Sequence, residues 1–95
     1  MTTDIRRLGS GGAVVAVQGC FDADDADRLC RIASGLDPGP VTLDFHDVRL
    51  VHDSAVARLG RELLEAPGHF NLAGLSEHHY RLLRYMGLDP RRSSP

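Results

Sequence analysis

The sequence predicts an α/β domain whose elements follow in the order β-β-α-β-α-β-α. Apolar and polar residues alternate over residues 41–45, as in a β-strand, whereas apolar residues recur every three or four positions after Ser54, as on one helix face. The same change of spacing follows residues 13–18 and 70–73. Strand–helix–strand repeats favour parallel pairing with right-handed crossovers. We therefore expect a mixed sheet of about four strands with helices packed on it.

The first half of the chain is expected to contain a hairpin and a helix. Ile5 and Leu8 suggest a short opening strand, which can pair with residues 13–18 across a glycine-rich turn. Residues 13–18 are apolar and β-branched, which is typical of a strand buried on both faces. A helical stripe over residues 22–36 follows. Its early aspartates and later arginines match the helix dipole, so the acidic cluster indicates a helix start rather than a metal site.

The second half is expected to repeat a strand and a helix twice. Residues 46–50 are predicted to form a polar loop after the central strand, before the helix that follows Ser54. Residues 70–73 predict another short strand, and Ser76 and Gly87 are suited to begin and end the last helix. Residues 1–90 are predicted to form a single domain, and residues 91–95 a disordered tail.

Composition excludes several classes of function. The chain has 95 residues, which is one domain, and its net charge of −2 favours neither nucleic acid nor anionic lipid. No apolar run approaches a membrane helix, and the N-terminus has no apolar signal region, so we expect a cytoplasmic protein. Cys20 and Cys30 are therefore expected to be reduced thiols, with Cys30 in the core.

Asp53 and Ser54 are the first candidates for a functional site. Both side chains carry oxygens that can accept the free N–H groups of a helix's first turn, so Asp53 is predicted to cap the helix. A carboxylate and a hydroxyl then stand at the positive end of a helix dipole and at the tip of a strand. Ligand sites of α/β domains usually occupy that place.

The sequence does not favour an enzyme or a metal site. A hydrolase would need Asp53, Ser54 and a histidine such as His52, but adjacent residues in one turn rarely point at one another, and no G-x-S-x-G motif is present. His78 and His79 are expected to point to different sides of a helix. No cofactor motif occurs, and the histidines lack the spacing of metal ligands: His46, His52, His69, His78 and His79.

Three stretches resemble the STAS domain of bacterial anti-sigma factor antagonists. Residues 14–22 are similar to the family's opening strand and its G-x-[LF]-D exit. Residues 43–59 resemble the strand and the D-S-[ST]-[GA]-L-x-x-L helix start, and residues 72–88 resemble the last core strand and the helix ending in x-x-G-L. The resemblance implies a domain that regulates transcription by binding an anti-sigma factor or a serine kinase of the partner-switching type.

The resemblance allows two alignments of the helix start. In the family, an anti-sigma kinase phosphorylates a serine there and so breaks the complex. The preferred register places Asp53 on that serine, because Val56 and Leu59 then take the buried leucine positions. The other register makes Ser54 the acceptor. With Asp53 at the acceptor position, the resemblance implies an atypical antagonist that is locked in one state or regulated otherwise.

The resemblance also suggests a docking surface and leaves other functions open. The same helix could dock on an ATPase as part of a lipid-transport ABC complex, and a small hydrolase using Ser54 is a third alternative.

Only seven residues follow Leu88, where the family often adds a strand and a helix, so an exposed sheet edge could serve a partner or a homodimer. The predicted partner-binding residues are Asp22, Asp47, Arg49, His52, Asp53, Ser54, Ala57, Arg58 and Arg61.

Overall fold

A computed structural model describes residues 1–9, 12–36, 40–65 and 70–88. The predicted order of elements is confirmed within these ranges. Several predicted features lie outside the described residues. They are the ends of the three helices at 37–39, 66–68 and 89–90, the tail at 91–95, and His69. The elements are β1 (Thr2–Arg7), β2 (Ala13–Phe21), α1 (Ala23–Ser34), β3 (Val41–Val51), α2 (Asp53–Glu65), β4 (Phe70–Ala73) and α3 (Glu77–Tyr85).

The strands form one mixed sheet in the order β1-β2-β3-β4. The predicted hairpin is confirmed, because β1 pairs antiparallel with β2 and places Ile5 opposite Val15. β2, β3 and β4 pair in parallel, as strand–helix–strand repeats require. None of the described helices has the length and apolar character needed to span a bilayer.

The core lies on one face of the sheet. Alternate strand residues such as Val15, Leu43 and Phe45 join one buried cluster together with apolar residues of all three helices. The expectation that residues 13–18 are buried on both faces is wrong, because Val14 and Ala16 are only half-buried. The helices supply a single apolar layer, and it covers the face on which Val15 lies.

β3 extends beyond its predicted end. The sequence predicts a loop over residues 46–50, whereas β3 continues to Val51. Its partner β2 also runs on to Phe21 and pairs with it, although the register shifts twice along the way. Neighbouring backbone groups thus keep a polar segment extended, and Asp47 and Arg49 lie on a strand rather than on a loop.

Side-chain caps begin two of the helices, and the sequence predicts the one at Ser76. Asp22 caps α1 in a capping box, in which its carboxylate accepts from the N–H of Asp25 and the Asp25 carboxylate accepts from the N–H of Asp22. The N–H of Asp25 is the main cause that holds the pKa of Asp22 below its ordinary value. Ser76 caps α3, and Gly87, with φ +91°, follows its end.

Cys30 is expected to be unreactive in the folded protein, whereas Cys20 is exposed. Burial, with Glu62 and Asp27 nearby, raises the pKa of the Cys30 thiol to about 12, and the thiolate is the reactive form. Titration with a thiol reagent at pH 8 should therefore label one cysteine in the native protein and two in denaturant. The variant Cys20→Ser should show no native labelling, and rapid native labelling of that variant would contradict this prediction.

Candidate functional site

The starts of all three helices follow the carboxyl ends of the parallel strands. Phe21 and Val51 are paired at the ends of β2 and β3, and the N–H of His52 donates to the carbonyl of Phe21 at 3.0 Å. β4 lies parallel beside β3, so α3 begins at the same edge of the sheet as α2. We call this edge the carboxyl edge. It brings Asp22, His52 and Asp53 to one side of the molecule.

Asp53 is the first residue of α2 rather than its cap. The carbonyl of His52 accepts from the N–H groups of Ala55 and Val56 at 3.0 and 3.2 Å, so His52 occupies the cap position. The Asp53 carboxylate does not bond to the helix backbone and turns toward α3 instead, which corrects the predicted cap. Its side chain is 64% exposed, and its charge still lies in the first turn, where the helix dipole favours an anion.

Two histidines of α3 converge on Asp53. The Nε2 atom of His78 lies 3.2 Å from both carboxylate oxygens, and Nε2 of His79 lies 3.4 Å from Oδ1. The expectation that the two rings point to different sides of the helix is wrong, because they meet edge to face with centroids 5.3 Å apart. Ser76 Oγ lies 2.8 Å from Nδ1 of His79, which directs the other ring nitrogen toward α2.

A groove between α2 and α3 adjoins this cluster. Its volume is about 460 Å³, and its lining is mostly apolar. Tyr85 is 79% exposed at its border, so its ring is accessible beside the groove. The sequence analysis did not predict that α3 contributes to the site, but the groove is lined by Asp53, Ser54, Ala57, Leu82, Tyr85 and Met86.

The remaining predicted site residues are spread over a wider surface. Arg58 lies 2.8 Å from Asp27 and connects α2 to α1, a partly exposed ion pair that contributes on the order of 0–1 kcal/mol. Arg61 is exposed further along α2. Asp47 and Arg49 are exposed on β3, before the strand reaches the carboxyl edge. The structure therefore gathers the residues around Asp53 and leaves the others at a distance along their elements.

Two solved structures resemble this chain over most of its length. The anti-sigma factor antagonist SpoIIAA in its unphosphorylated form has a TM-score of 0.62 at 17% identity, and the match covers 94% of this chain and 84% of that one. The chain has the STAS fold. RsbS of Moorella thermoacetica, in a variant with a serine replaced by glutamate, has a TM-score of 0.60 at 23% identity, covering 97% of this chain and 83% of that one.

Comparisons that use only the amino-acid sequence find no relative, in contrast to the comparison of structures. No protein-family model matches the chain, and no curated protein matches it. The predicted resemblance to the STAS domain is thus confirmed by the arrangement of strands and helices. At identities of 17% and 23%, the two structures establish the fold, whereas a function must be argued from the site.

Proposed function

We propose that this protein is an anti-sigma factor antagonist that binds a partner-switching kinase in the cytoplasm and so regulates transcription. The observation that carries the proposal is the exposed carboxylate of Asp53 at the first residue of α2. In the preferred alignment it corresponds to the family's phosphorylated serine, and it lies next to an apolar groove that a partner side chain can fill. The protein acts by contact, and Asp53 keeps it in its binding state.

Burial along α2 supports Asp53 as the counterpart of that serine. In the preferred register Val56 and Leu59 take the leucine positions, and both are fully buried. The other register would place Ala57 on a leucine position, but Ala57 is exposed. A shift of one residue turns a helix by about 100°, so only one register keeps its apolar face on the core.

The chemistry of Asp53 favours permanent binding rather than permanent release. A phosphoserine carries roughly −1.5 to −2 charges and three acceptor oxygens. Asp53 carries one charge on two oxygens, and His78 already contacts both of them. The carboxylate is therefore a poor substitute for phosphate, and we expect that a serine kinase does not modify it.

Ser54 is not placed like the nucleophile of a hydrolase. Within the described parts of the chain, no hydrogen bond joins Ser54 to any of the histidines. A serine nucleophile needs a base within hydrogen-bond reach of its hydroxyl. This geometry supports a binding role for the helix start.

A phosphorylation assay on the purified complex tests this proposal. A kinase-type anti-sigma factor from the same genome is incubated with the wild type or with Asp53→Ser, with and without ATP, and phosphate is located by mass spectrometry. The wild type should stay unmodified and bound. Asp53→Ser should gain phosphate at position 53 and release the kinase, because a dianion then replaces a hydroxyl at the contact.

Two outcomes would contradict the proposal. Phosphate on Ser54 of the wild type would show that the other register is correct and that the protein is switched in the ordinary way. Binding of a transporter ATPase with no binding of the kinase would instead assign the domain to a lipid-transport complex. Asp53→Asn serves as the matched control, since it removes the charge without providing a hydroxyl.

A further inference from the structure

We propose that Asp53, His78 and His79 form a binding site for a divalent transition-metal ion of the zinc class. Each residue offers one ligand atom, and the three atoms lie within 4.8 Å of one another. They come from the starts of two different helices, so an ion bound there would join α2 to α3. No other group of this kind occurs among the described residues.

Two of the three distances between the ligand atoms suit a tetrahedral site. Bonds of roughly 2.0–2.2 Å to zinc place neighbouring ligand atoms of a tetrahedron about 3.3–3.5 Å apart. Nε2 of His78 and Nε2 of His79 lie 3.2 and 3.4 Å from the nearest oxygens of Asp53. The three ligand atoms all lie within 4.8 Å of one another, so rotation of the side chains can bring the remaining pair to a similar separation.

Ser76 holds His79 in the orientation that a metal ligand needs. Its Oγ lies 2.8 Å from Nδ1 of His79 and also accepts from the backbone N–H of His79. A hydroxyl has two acceptor lone pairs, so it can accept from both groups. When Nδ1 carries the proton, the lone pair on Nε2 is free and faces Asp53. Metal-bound histidines usually have their second nitrogen held in this way.

Exposure of the cluster leaves room for a further ligand. His79 is 14% exposed, whereas Asp53 and His78 are 64% and 63% exposed. Three protein ligands with an open position can hold an exchangeable water or a group supplied by a partner. Two imidazoles and a carboxylate suit Zn²⁺ and its neighbours among the transition metals better than Mg²⁺ or Ca²⁺, which prefer oxygen ligands.

A bound ion would reverse the charge of the helix start. The carboxylate contributes −1 and the ion +2, so the site changes from net negative to net positive. This consequence depends on the proposed function: if partners dock on the start of α2, the metal sets their affinity. Metal binding itself does not depend on that function.

Titration of the metal-free protein with Zn²⁺ tests the site. Calorimetry should give one ion per chain, and Co²⁺ should give visible absorption typical of low coordination number. His78→Gln and His79→Gln should each bind at least about tenfold more weakly, since each loses one ligand. His46→Gln is the matched control, because His46 is exposed on β3 and outside the cluster, and it should bind like the wild type.

Histidine ring signals in NMR spectra give a second measurement that does not depend on the variants. Zn²⁺ should shift the ring signals of His78 and His79 and leave that of His46 unchanged. Lack of saturable one-to-one binding by the wild type, or shifts only at other histidines, would overturn the proposal. Zinc binding without any kinase binding would instead contradict the proposed function alone, and kinase binding without zinc binding would contradict the metal site alone.

Discussion

Replacing Gly74 by alanine is expected to lower the free energy of unfolding by about 2–5 kcal/mol. Gly74 follows β4 with φ +83°, a conformation that costs a residue with a side chain about 1–2 kcal/mol. A Cβ atom there would also lie 2.5 Å from the backbone nitrogen of His46 and 2.9 Å from its ring. The free-energy cost of the strained backbone and that of the collision with His46 therefore add to one another.

The backbone of His46 cannot easily move away from this collision. Its N–H donates to Oδ1 of Asp44 at 3.0 Å, and its ring nitrogen also contacts that oxygen. It also lies in β3 between Asp44 and Asp47, both of which pair with β2. A shift of His46 would disturb the strand that leads to Asp53, so the substitution affects the scaffold of the site.

Urea denaturation followed by circular dichroism measures this effect. Gly19→Ala is the matched control, because Gly19 has φ +87° but nothing within 4 Å of the added Cβ. The control should lose only the backbone contribution of about 1–2 kcal/mol. Equal losses of unfolding free energy for both variants would show that the contact between the added Cβ atom and His46 has no effect on stability.

The sequence predicted those parts of the fold that depend on neighbours along the chain. Alternation at Val41, Leu43 and Phe45 predicted a strand, and all three residues are buried in it. The cap at Ser76 was also predicted, since a cap satisfies N–H groups only three residues away, and the cap at Asp22 depends on equally local contacts. Local physics decides these features, so a single sequence contains enough information for them.

The features that the sequence analysis did not predict depend on contacts between elements that are distant from one another along the chain. Residues 46–50 read as a loop because they are polar, and only lateral pairing with β2 keeps them extended. The contact between Asp53 and His78 joins residues 25 positions apart. It could have been anticipated from topology, because helices that follow adjacent parallel strands begin at the same edge. The side-chain directions within that edge, however, depend on how α2 and α3 pack.

Asp53 illustrates the difference between a residue type and its role. The sequence indicates a helix start, and the carboxylate was assigned to the backbone there. The structure leaves that carboxylate exposed and turned toward His78, and the N–H groups of Ala55 and Val56 bond to a carbonyl instead. A side chain that is not used as a cap is available for a partner or an ion, which strengthens the case for a functional role.

The affinity for a kinase-type anti-sigma factor tests the central claim most directly. Calorimetry in the presence of a chelator compares the wild type with Asp53→Arg and with Glu65→Arg, which makes the same charge change at the exposed far end of α2. Charge reversal at position 53 should weaken binding by at least about tenfold, and reversal at position 65 should change it little. Equal affinities for the wild type and Asp53→Arg would contradict the claim that the start of α2 is the docking surface.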